Sequence, residues 1–105
     1  MSVAILIEFK DSTRDELYIP LATEGTYSSE WVPPAKHLGL HWLPLFQTGI
    51  SVSVEDLPTV MDELRRLRGV LADDRRKSSA VERLDFALER LHELDIREVA
   101  GIFIG

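Results

Sequence analysis

The order of hydrophobic patterns along this chain predicts an α+β fold. It is expected to hold a mostly antiparallel sheet of about five strands and three helices, in the order β-β-α-β-β-α-α-β. Three observations predict it. Short apolar runs come in two close pairs, each joined by a polar connection too short for a crossover helix. Two long segments in the second half carry apolar residues at helical spacing. The chain begins and ends in runs that are apolar on both alternating faces.

Val3 to Phe9 is apolar until Glu8, as suits a strand buried on both sides. The polar stretch from Lys10 to Glu16 connects it to Leu17-Tyr18-Ile19-Pro20-Leu21, where Leu17, Ile19 and Leu21 share one face. Pro20 has no N–H to donate, which puts this second strand at an edge or ends its pairing there. Ser28 or Ser29 is expected to cap a first helix reaching Leu38, with Pro33 and Pro34 near its start. Gly39 is the left-handed stop after it. Leu40 to Phe46 reads as a third strand and Ile50 to Val54 as a fourth, with Ser51 and Ser53 on a wet face.

Asp56-Leu57-Pro58 opens a second helix, in which Leu57, Val60, Met61, Leu64, Leu67 and Leu71 form one apolar stripe. Ser79-Ala80-Val81-Glu82 has the spacing of a capping box and opens a third, which buries Val81, Leu84, Leu88 and Leu91. Val99 to Ile104 is the last strand. The element order has the outline of a split βαβ unit with an added strand and a doubled second helix. The two terminal strands are expected to be central and neighbouring.

Composition bounds the function. The 105 residues form one domain, 1–105, with 45% hydrophobic and 29% charged residues. Twelve basic residues against 18 acidic ones leave a net charge of −6, which argues against nucleic acid as a partner. No cysteine is present, so disulfides, thiolate metal sites and thiol nucleophiles are excluded. The N-terminus lacks a basic segment before its short apolar run, and no run is long enough to span a bilayer, so a cytoplasmic protein without membrane contact is expected.

Chemistry-bearing motifs are few. His37 and His41 have a zinc-like spacing, but Gly39 between them ends the helix that would align them, so no metal site is assigned. The six glycines are scattered and form neither a P-loop nor a dinucleotide fingerprint, and no cofactor is expected. No Ser-based nucleophile motif is present, and no catalytic residue is assigned. The pattern fits binding better than catalysis.

The leading expectation is a small acidic interaction domain whose charge steers it onto a basic surface of a protein partner. An immunity- or antitoxin-type inhibitor is one concrete form. Phe86 is the expected anchor, because helical spacing sets this aromatic among Glu82, Glu89 and Glu93. An alternative of another class is a small-molecule or catalytic pocket in the aromatic middle, using Trp31, Trp42, His41, Glu24 and Glu30. A third is a structural subunit. If three helices cover one sheet face only, a symmetric copy or another protein covers the second, and a homodimer through that face follows.

Overall fold

A strand that is apolar on both sides is most stable between two others, and both chain ends are built that way. In the computed structural model, which describes residues 2–105, β1 (Ser2–Phe9) and β4 (Val99–Ile104) are adjacent antiparallel strands at the centre of the sheet. The edges are β2 (Leu17–Thr23) and β3 (Ile50–Val52), in the order β2-β1-β4-β3. Pro20 sits on edge strand β2, where its missing N–H costs no ladder bond to a further strand. The β1–β2 register slips between Val3 and Ala4, so Ala4 faces Pro20 while Val3 faces Ala22. Leu21 is the extra residue of this bulge, and both Leu21 and Ala22 are buried.

All three strand pairings are antiparallel, which corrects the split βαβ outline. A single helix between β3 and β4 would return the chain parallel to its start. Here α3 (Leu57–Leu71) and α4 (Ser78–His92) pack against each other, and the second helix reverses the first. Strand β4 therefore runs against β3.

The first helical stretch is longer than expected and compound. It begins at α1 (Glu24–Thr26), where the Thr23 hydroxyl accepts the Thr26 N–H, and not at Ser28 or Ser29. It then widens into a π turn over Tyr27–Trp31 and continues as α2 (Val32–His37). Pro33 and Pro34 explain the widening. A proline ring collides with the carbonyl four residues back, and a turn closed five residues back relieves that contact. The Val32 N–H reaches the Tyr27 carbonyl accordingly. Tyr27, Trp31 and Ala35 follow at intervals of four and are buried. Gly39 ends the stretch at φ 71°, as its position predicts.

Among the described residues there are four strands and four α-helices, not five and three. Leu40 to Phe46, expected as a strand, instead leads into a 3₁₀ turn over Leu43–Thr48. Two causes act together. Pro44 sits at the start of that turn, where a missing N–H is harmless. The N–H groups of His41, Trp42 and Leu43, which a strand would have offered to a ladder, are taken by the Glu63 carboxylate.

The capping box at Ser79 and Glu82 does not form. Asp74 accepts the Arg76 N–H and starts a short 3₁₀ turn, Arg75–Lys77, that runs directly into α4. Lys77 then occupies the cap position of α4 with no side-chain cap bond.

One continuous core joins Ile5, Ile7, Ile19, Ile102 and Ile104 from the sheet to Leu57, Leu64, Leu67, Leu84 and Leu91 from α3 and α4. No helix among the described residues is long and apolar enough to cross a membrane.

Candidate functional site

In a strand, alternate side chains point to opposite faces. The core takes one set from this sheet, with Ile5, Ile7, Ile19, Ile102 and Ile104 in it, while Tyr18 and Phe103 of the other set are exposed. Leu6 lies opposite Tyr18 on one side and opposite Phe103 on the other, and Phe103 lies opposite Ser51. These four residues form one row straight across all four strands. Tyr18 is 54% exposed and Phe103 42%, high values for aromatics fixed on a sheet. With strands about 4.8 Å apart, the two rings stand roughly 10 Å from each other with Leu6 between them.

A shallow trough of about 710 Å³ runs along this face from Leu6 to Phe103, floored at Gly101. Its charged lining residues are Glu8 and Glu16, and no lysine or arginine joins them. Ser51 and Ser53 supply the remaining polar edge. The face is thus an apolar strip with two aromatics, bordered by carboxylates and hydroxyls. It has the make-up of a binding patch with a polar rim.

The Phe103 ring lies close over two glycines. A Cβ built on Gly49 would lie 2.8 Å from the Phe103 ring, and one on Gly105 would lie 2.9 Å from it. Both positions must therefore be glycine for the ring to rest where it does, and Gly49 also has φ 81°. At the other end, the Tyr18 hydroxyl lies 3.4 Å from the Ser2 hydroxyl.

Glu63 supports this arrangement from the core side. It is the one buried charged residue among those described, at 4% exposure. Its carboxylate accepts N–H bonds from His41 (3.3 Å), Trp42 (3.0 Å) and Leu43 (3.0 Å), which starts the 3₁₀ turn that delivers Gly49 beneath Phe103. Tyr27 braces the same turn, donating its hydroxyl to the Leu43 carbonyl at 2.6 Å. Burial of that ring raises its phenol pKa, an effect that backbone hydrogen bonding from Gln47 and Phe46 offsets in part.

The residues singled out from the sequence fall in separate places. Phe86 projects from α4 at 49% exposure; Glu82 and Glu89 are exposed on the same helix and Glu93 is exposed at its C-cap. That face is less acidic than its composition suggests. The Arg90 guanidinium lies 5.5 Å from the Phe86 ring and pairs with Glu93 at 2.8 Å and Glu89 at 3.6 Å.

In the aromatic middle, Trp31 is fully buried, Trp42 half-buried, and His41 and Glu24 exposed. Trp31 and Glu30 share the wall of a small cavity that His41, Trp42 and Glu24 do not line. His41 and Trp42 use their backbone N–H groups to hold Glu63 instead. Among the described residues, no three His, Asp or Glu side chains are grouped as metal ligands would be.

The sequence carried a signal for Glu63 that composition alone hides. It stands three residues after Val60 and four before Leu67, an acid in the middle of an apolar stripe. An acid there must find several donors. The open-face row was legible only in part, since Leu6 and Phe103 were visible as apolar residues on the second face of their strands while Tyr18 had no assigned direction.

No known protein family, no curated protein and no solved structure matches this chain.

Proposed function

We propose that this chain is a small acidic protein-interaction domain that docks a partner on the open face of its sheet. The observation that carries the reading is the row Tyr18–Leu6–Phe103, exposed across the sheet and bordered by Glu8 and Glu16 without a compensating cation. Exposed aromatics give a partner apolar contact at small entropic cost, because their rings lose few rotamers on binding. The Phe103 ring lies over Gly49 and Gly105, where any side chain would collide with it.

The partner's chemistry follows from the rim. Two carboxylates at the trough and a net charge of −6 favour a partner with an apolar knob ringed by lysine or arginine. A second copy of this chain is disfavoured, because pairing face to face would bring two sets of Glu8 and Glu16 toward one interface. A stable inhibitor of a basic enzyme, of the immunity or antitoxin kind, is a concrete instance of such a partner. The sheet face is preferred over the Phe86 surface because Arg90 already neutralises part of the latter.

The test is co-purification from the native source with quantitative mass spectrometry, together with the molecular mass of the isolated chain. Wild type is compared with Phe103→Ser, with Glu8→Lys/Glu16→Lys, and with Phe86→Ser. A basic partner retained by wild type and Phe86→Ser, lost in the other two, and released by added salt supports the reading. Loss with Phe86→Ser alone moves the interface to α4 and overturns it. So does a dimer of the isolated chain that Phe103→Ser converts to monomer.

A further inference from the structure

We infer that the outer edge of β3 receives an extended segment of the partner as a fifth strand. The segment pairs with the Ser51 backbone and carries lysine or arginine on either side of an apolar residue. The inference rests on the docking reading above and adds the main-chain contact by which the partner is held.

The direction of each backbone group follows from one pair of hydrogen bonds. The Gly105 N–H donates to the Ala4 carbonyl at 3.0 Å, and the Ala4 N–H to the Gly105 carbonyl at 3.2 Å. In antiparallel strands such bonded pairs alternate with unbonded ones. Leu6 and Phe103 are then bonded to each other, and Ile102 and Ile104 turn their groups toward β3, where they meet Val52 and Ile50. Ser51, between these two, directs its N–H and C=O away from β4. Ser51 is exposed, and neither group has a backbone partner among the described residues.

The same alternation accounts for the opposite edge. Ala4 bonds to β4, so its β2 neighbour Pro20 faces outward, and that edge position has no N–H to offer. The proline and the bulge at Leu21 close β2 to a further strand, whereas β3 has neither.

Charge selects the occupant. Edge strands are often guarded by lysine, yet no lysine or arginine stands between Lys36 and Arg65. The turn leaving β3 carries Glu55 and Asp56 instead. Ser51 and Ser53 line the trough that also holds Glu8, so an added strand is continuous with the open face. The Phe103 ring extends over Gly49, at the start of β3, which brings it toward this edge. Ser51, opposite Phe103, is small enough for an apolar side chain beside it to reach the ring. Cations two residues to either side share that face and meet the acidic rim. A second copy of the chain would instead join two molecules of net charge −6 along an edge without a cation.

The probe is the peptide Lys-Thr-Lys-Val-Phe-Val-Lys-Thr-Lys, acetylated and amidated, titrated into the full chain and followed by amide resonances. Saturable movement of the Ser51 signal and slowed exchange of its N–H are expected. N-methylation of the central phenylalanine removes the donor that meets the Ser51 carbonyl and weakens binding about tenfold. N-methylation of the valine before it, whose N–H points away, leaves the affinity unchanged. Ser51→Pro, which removes an outward N–H and no ladder bond, weakens binding of the unmethylated peptide by a similar factor, with the urea midpoint confirming that the variant is folded. The methylated peptides make the same test on the unaltered protein.

Absence of saturable binding overturns the inference, as does equal weakening by the two methylations. A dimer of the isolated chain that Ser51→Pro converts to monomer gives the edge to a second copy and overturns it too. The two readings fail separately. Peptide binding lost in Phe103→Ser but indifferent to methylation overturns edge pairing and keeps the open face. A co-purifying partner indifferent to Phe103→Ser, with the methylation contrast intact, removes the face and supports the edge.

Discussion

Replacing Glu63 by alanine is expected to destabilise the protein by about 3 kcal/mol, and the structure shows where that figure comes from. The carboxylate accepts three backbone N–H groups, of which Leu43 is buried, Trp42 half-buried and His41 on an exposed residue. Removing the acceptor lets water reach the His41 N–H at little cost. The other two donors are left with poor access to solvent, at about 1–3 kcal/mol each. Replacing a buried charge by a methyl group returns some desolvation energy, which keeps the total nearer 3 than 6 kcal/mol by the same rough scale.

Glutamine should lie between the two, because its single carbonyl oxygen can accept two of the three bonds while its NH₂ opposes the third. For a domain of this size, 3 kcal/mol corresponds to a fall in Tm of roughly 12–20 °C. Urea unfolding followed by circular dichroism and by tryptophan fluorescence gives both quantities. The order wild type, Glu63→Gln, Glu63→Ala is the expected result. Glu63→Ala within about 0.5 kcal/mol of wild type would refute the reasoning, since it would mean that the 3₁₀ turn keeps its donors satisfied without the carboxylate.

Three further outcomes follow from the structure. Asp11, Asp74 and Asp95 are held below the ordinary carboxylate value, chiefly by side-chain hydrogen bonds from Thr13, Arg76 and Arg97 respectively. Their contribution to stability is therefore complete above about pH 4 and is lost as pH falls further, and urea midpoints of the triple Asn variant should show a shallower acid limb. Tyr27 has the opposite sign. Its raised pKa makes its contribution complete below about pH 10 and lost above it, so Tyr27→Phe should flatten the alkaline limb of the same titration. Gly49→Ala places a methyl group against the Phe103 ring at a backbone of positive φ. It should cost about 1–2 kcal/mol in urea unfolding and move the Phe103 ring resonances.

Much of the architecture was legible because it rests on local patterns. Leu57 to Leu71 and Leu84 to Leu91 repeat at helical spacing, and any surface that buries them must present that one stripe. Pro20 named an edge strand, Gly39 named a helix end, and the doubly apolar ends of the chain named the central pair β1–β4. Where the reading failed, a distant partner had outbid the local pattern. Leu40 to Phe46 has the composition of a strand, yet Glu63, some 20 residues on, holds three of its N–H groups in a turn. Ser79 and Glu82 have the spacing of a capping box, yet Asp74 had already begun the turn upstream.

The sequence by itself determined the secondary structure of its long periodic segments, the acidic charge and the absence of thiol chemistry, because each depends on residue type and near neighbours alone. Only the tertiary structure decided which sheet face the helices cover. That choice sets Tyr18, Leu6 and Phe103 in one exposed row, and the closing of α3 onto residues 41–43 places Glu63 under three backbone N–H groups. Both are juxtapositions of residues far apart in the chain, produced when the core closes, and no local pattern encodes them.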